Sequence, residues 1–193
     1  MMTASEQAQA LLDAATRASQ AGDGEQALLL LRRCVEQYPV NPVAHYLLGA
    51  ECAQAQRYGD AVVHLTTAVE QAPTLWIARL QLGLLWLTLS NPTAATAALL
   101  PLNDLPETDA LHHFGRALTA LGRDDLPGAA STLQAGLQMG ADNAPLLADM
   151  RRLLEATLSR MRESPQPPSA IADARLFSHD LAISAYSGRG SIR

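Results

Sequence analysis

Three residues, Ala27, Cys34 and Pro39, recur as Ala61, Ala68 and Pro73, and the dipeptide Leu48-Gly49 recurs as Leu82-Gly83. Each pair is separated by thirty-four residues, and the period holds from about residue 8 to residue 90. An interval of that length fits a helix hairpin, which cannot bury its apolar face alone and gains stability by stacking on a copy of itself. A chain so organised is an array of stacked hairpins. Its units carry no chemistry of their own, so the period predicts binding as the mode of action.

Composition agrees with helices throughout. Hydrophobic residues make up 48% of the 193 positions but aromatics only 4%, so the core must be built from Leu and Ala, the best intrinsic helix formers. The formal charge of −5 conceals an asymmetry, because residues 1–150 carry fifteen acids against seven arginines while residues 151–193 carry four acids against seven arginines. A net-acidic body with no arginines interleaved among aromatics lacks the electrostatic footprint of phosphate binding, so nucleic acid is not an expected partner.

The start, Met1-Met2-Thr3-Ala4-Ser5-Glu6, offers neither the basic nor the apolar region of an export signal. The longest apolar run, Leu80 to Leu89, is too short to span a bilayer. A cytoplasmic protein without membrane insertion is expected, with Cys34 and Cys52 kept as thiols. Both cysteines fall at small-residue core positions of the repeat and read as structural.

Capping and breaking residues place the helices. The first is expected from about Glu6 to Ala21, closed by Gly22-Asp23-Gly24, and the second from Glu25 to Tyr38, stopped by Pro39 and Pro42. Asn41-Pro42 opens the third, with Asn as N-cap and Pro at the first helical position. Helices over 42–55, 59–72, 75–89, 93–102, 107–121 and 127–139 follow. A longer helix over 144–163 presents Leu147, Met150, Leu154, Leu158 and Met161 as an apolar stripe, the pattern of a capping element. Pro101 falls where a second helix should still run, so the repeats are expected at 8–41, 42–75, 76–107 and 108–141, the third two residues short and the fourth with a lengthened turn. Residues 164–169 read as a stiff Pro-rich linker, and 170–193 as a tail, partly disordered or docking, with Ile171, Leu176, Phe177 and Leu181 as its interaction candidates.

In the second unit, Leu48-Gly49, Tyr58, Ala61, Ala68 and Pro73 fall where tetratricopeptide repeats keep Leu-Gly, an aromatic, two small residues and a terminal Pro. Over residues 8–141 the chain resembles a tetratricopeptide repeat protein, with Ala14-Ala15 and Phe114-Gly115 standing in the Leu-Gly places of the first and fourth units. The resemblance implies an all-α fold, a right-handed superhelical array of antiparallel helix hairpins in which the first helix of each repeat lines a concave binding face. Carried over residue by residue, the inward positions are Leu12, Thr16 and Ser19 in the first unit, and Tyr46, Ala50 and Ala53 in the second. The third supplies Leu80, Leu84 and Leu87, and the fourth His112, Arg116 and Thr119. The candidate partner-binding groove comprises Leu12, Thr16, Tyr46, Ala50, Leu80, Leu84, Leu87, His112 and Arg116. It lacks the Lys, Asn and Arg set with which chaperone-docking members of the family hold a C-terminal carboxylate, so that role is not implied.

No catalytic constellation accompanies the array. His112 and His113 are adjacent on a helix and point about 100° apart, so they cannot chelate one ion, while His45, His64 and His179 are isolated in sequence. Phosphate loops, paired-Cys motifs and nucleophile elbows do not occur. Asp124-Asp125 lacks the alternating oxygen ligands that calcium needs and reads as an acid pair at a helix N-terminus. The expected function is therefore non-catalytic, without metal or cofactor: an adaptor or chaperone that holds a protein or peptide partner by a few apolar anchors. Alternatives remain open in which the groove is covered by the chain's own tail or by a second copy, or in which the array is an assembly subunit acting through its tail. A narrower similarity, to the small acidic tetratricopeptide chaperones of bacterial type III secretion, rests on size and a hydrophobic groove.

Overall fold

The computed structural model describes residues 3–141 and 143–163. Nine α-helices and no strand occur among the described residues: α1 (Ala4–Gln20), α2 (Gly24–Gln37), α3 (Pro42–Gln54), α4 (Tyr58–Gln71), α5 (Trp76–Thr88), α6 (Pro92–Leu99), α7 (Ala110–Gly122), α8 (Leu126–Met139) and α9 (Ala144–Arg162). A 3-10 turn over Leu100–Asp104 follows α6.

Side-chain caps set most of these starts by accepting hydrogen bonds from the first helical N–H groups, which have no partner within the helix. Thr3 and Glu6 form a reciprocal capping box on α1. Asn41 accepts from Val43 and Ala44 at 3.1 Å, Asn91 from Ala94 at 3.1 Å, Asp125 from Gly128 at 2.9 Å and Asn143 from Leu146 at 3.0 Å. The result is strictly periodic: α2, α4, α6 and α8 begin at residues 24, 58, 92 and 126, and α3, α5, α7 and α9 at 42, 76, 110 and 144. The thirty-four-residue interval thus runs unbroken through four hairpins, and α9 starts where the first helix of a fifth would start.

This corrects the expectation of a shortened third unit and a lengthened fourth turn. Helix α6 stops at Leu99, earlier than expected, but the chain continues as the 3-10 turn, where Pro101 sits in the first positions and no intrahelical N–H is needed. Leu102 is fully buried there, so the turn contributes to the core as a helix end would. The fourth hairpin's first helix then begins at Ala110 rather than near 107.

The interval also governs backbone and core. Gly22, Gln56, Ser90 and Asp124 adopt φ values of 80°, 58°, 56° and 58°, one in each hairpin turn. Ala27, Ala61, Ala95 and Ala129 are buried, as are Leu31, Leu65, Leu99 and Leu133. Leu65 and Leu99 fill the space left by glycines: a β-carbon on Gly49 would lie 2.8 Å from Leu65 Cγ, and one on Gly83 would lie 2.4 Å from Leu99 Cγ. At the same place in the fourth hairpin stands Ala117, fully buried, whereas Gly115 faces Leu102 of the 3-10 turn. Phe114-Gly115 is therefore not the fourth Leu-Gly pair.

Among the described residues two compact units form, 3–78 and 79–163, with the boundary inside α5. In the first, α1 packs on α2, α2 on α3 and α3 on α4. In the second, α6 packs on the 3-10 turn and on α7, α7 on α8 and α8 on α9. Helix α9 buries Leu146, Asp149, Met150, Leu153 and Thr157, while Leu147, Leu154 and Leu158 are half-buried and Met161 is exposed. The buried face is thus rotated from the stripe expected. The linker 164–169 and the tail with Ile171, Leu176, Phe177 and Leu181 lie outside the described residues.

Candidate functional site

In the first unit the site is built on α1 and α3. Ten successive α3 residues, from Ala44 to Ala53, are buried, because a helix that is apolar nearly all round is covered on every face. Leu12, Tyr46 and Ala50 are among the buried side chains, and Thr16 is half-buried with its hydroxyl donating to the Leu12 carbonyl at 2.8 Å. The Tyr46 hydroxyl is buried with no hydrogen-bond partner among the described residues, and burial pushes its pKa far up.

In the second unit Leu80, Leu84 and Leu87 are buried on α5. His112 is buried as well, with Nδ1 3.0 Å from the Leu105 carbonyl, while Arg116 is exposed. Counting in whole intervals from Leu80, Leu84 and Leu87 leads to Phe114, Leu118 and Leu121, which are all buried. His112, Arg116 and Thr119 sit two residues before these positions. Of the nine groove candidates, Thr16 and Arg116 reach the surface, and the remaining side chains are buried.

A pocket of about 580 Å³ opens in the first unit where α1 ends, α2 begins and α3 passes. Its wall includes Ser19 and Gln20 from α1, Glu25 and Leu28 from α2, and Glu51 and Gln54 from α3. Ser19 and Glu51 are 2% and 5% exposed, and the Ser19 hydroxyl donates to Glu51 Oε1. Among the described residues the lining holds two carboxylates and no basic side chain, and it lies between the C-terminal end of α1 and the N-terminal end of α2, whose dipoles oppose each other. Glu25 and Glu51 make the pocket acidic.

Glu51 is not among the residues expected from the sequence. Its signal was present, since Glu51 is the single charged residue in α3. His45 and His64, isolated in sequence, are brought together by the α3–α4 packing, their Nδ1 atoms 3.2 Å apart. His112 and His113 bond to separate carbonyls, those of Leu105 and Glu107. Cys34 and Cys52 are free and buried, and burial raises both thiol pKa values. Among the described residues no helix is long and apolar enough to cross a membrane, and no three His, Cys, Asp or Glu side chains converge as metal ligands.

No protein-family model and no curated protein matches the chain. Solved structures do. MamA, residues 41 to the end, from Desulfovibrio magneticus RS-1 matches with a TM-score of 0.59 at 17% identity, over 95% of this chain and 97% of that one. YrrB, described as a TPR protein with an unusual peptide-binding site, matches with a TM-score of 0.55 at 18% identity, over 93% of this chain and 86% of its own. At these identities the likeness concerns the fold, which is the tetratricopeptide type: an α-solenoid of helix hairpins.

Proposed function

We propose that the chain is a non-catalytic protein–protein interaction module, an adaptor or chaperone that holds a segment of a partner protein on the first unit. The observation that carries this reading is the pocket between α1, α2 and α3, with the buried Ser19–Glu51 pair in its wall. An Arg or Lys of the partner supplies the anchor, because a carboxylate of low exposure interacts with a cation more strongly than one in bulk water does. The unusual peptide-binding site described for YrrB supports peptide binding on this fold. Thr16 is accessible for contact, whereas Leu12, Tyr46, Ala50, Leu80, Leu84, Leu87 and His112 take part only where a partner displaces what buries them.

Peptides selected on the full-length chain from a random display library test this. Binders enriched in Arg or Lys are expected, and Glu51→Gln, which keeps an acceptor for Ser19, should weaken them tenfold or more by isothermal titration. Binders that tolerate Glu51→Gln within twofold, or a selection that yields none, would overturn the reading.

A further inference from the structure

We propose that His45 and His64 form a binding site for a divalent transition ion of the zinc class, coordinated by the two Nδ1 atoms. His45 projects from α3 and His64 from α4, and their Nδ1 atoms stand 3.2 Å apart with the ring planes tilted by 38°. Zinc–imidazole bonds of about 2.0–2.1 Å drawn from two nitrogens at that separation meet at an angle of roughly 100°, close to tetrahedral.

His45 already has the tautomer that ligation needs. His45 Nε2 faces the Pro39 carbonyl at 3.1 Å and must carry its proton to donate there, which leaves the Nδ1 lone pair pointing at His64. A backbone carbonyl that holds the distal N–H of a ligating histidine is the usual outer partner of such a site. Gln71 Nε2 donates to the same carbonyl at 2.8 Å and holds it in place. In the ion-free state His64 Nδ1–H donates to His45 Nδ1. Ion binding moves that proton to His64 Nε2, so that both Nδ1 lone pairs face the metal.

Desolvation and the neighbouring His45 lower the His64 pKa. Arg32 and Arg57 also act on His64, and Asp60, itself paired with Arg57, opposes them. With no third His, Cys, Asp or Glu converging among the described residues, the remaining positions go to water. The affinity is accordingly modest. An ion there links α3, α4 and the loop before α3.

Zinc titrated into the full-length chain at pH 7.5, followed by calorimetry, tests the assignment. One ion per chain is expected, with His64→Gln and His45→Gln each weakening it tenfold or more and His113→Gln leaving it unchanged. Long-range proton–nitrogen correlation should show both Nδ1 resonances moving on zinc addition while His45 Nε2 stays protonated and His64 Nε2 gains the proton that leaves its Nδ1. His64 is half-buried, so its variant keeps the helical circular dichroism even if His45→Gln does not fold. Absence of binding at millimolar zinc, or affinity within twofold of the parent in His64→Gln, would refute the site.

Discussion

Gln56 holds a φ of 58°, a conformation that costs an L side chain about 1–2 kcal/mol and glycine little. Gly22 occupies the corresponding turn position one interval earlier. Gln56→Gly should therefore raise stability by about 0.5–1 kcal/mol, since the relief exceeds the extra freedom glycine confers on the unfolded chain. Urea unfolding of the full-length chain measures it, and a loss of stability would show that the side chain matters more than the backbone. At His64 the folded ring has a pKa below the ordinary 6.5. The unfolded chain then takes up a proton while the folded ring is still neutral, so stability is greatest above 6.5 and falls as pH drops through it, levelling off once the folded ring protonates. His64→Gln should flatten that fall in urea midpoints recorded between pH 7.5 and 5. The left-handed turn positions were not legible in the sequence beyond Gly22. Gly, Gln, Ser and Asp share a backbone conformation there and no side-chain chemistry.

Within each hairpin the close approach of two helices is set by one residue. A β-carbon on Gly49 would meet the Leu65 backbone nitrogen at 3.1 Å and the Ala61 carbonyl at 3.2 Å as well as the Leu65 side chain, whereas one on Gly83 would meet the Leu99 side chain. A side chain can rotate and a helix backbone cannot, so Gly49→Ala should cost more than Gly83→Ala, with both near 1–3 kcal/mol. Gly59, in the first turn of α4, has nothing within 4 Å of its would-be β-carbon, so Gly59→Ala should instead stabilise by roughly 0.5–1 kcal/mol. Thermal or urea unfolding of the three variants orders them. The helices themselves were legible because their caps and breakers are local, but the buried face of α9 was not. Apolar residues occupy both Leu146, Met150 and Leu153 and the adjoining Leu147, Leu154 and Leu158, and contact with α8 selects the first set.

At the scale of the molecule, a repeat array gains stability from each unit's contact with the next, so a terminal helix protects the face it covers. Met150 is 1% exposed in the α8–α9 contact, and Met150→Ala should cost about 2–5 kcal/mol and expose that face to association. Unfolding midpoints and light scattering report the two effects. The helical class, the thirty-four-residue interval and nearly every helix start follow from local sequence, because propensity, capping and hairpin length are properties of neighbouring residues. Local sequence does not determine which polar groups meet. Ser19 reaches Glu51 across 32 residues and His45 reaches His64 across 19, and both contacts depend on how the helices cross and how deeply each is covered. The same tertiary packing buried most of the inward positions that the resemblance had assigned to an open groove, and left an acidic pocket in the first unit. Burial is a sum over residues distant in the chain, which no local pattern records.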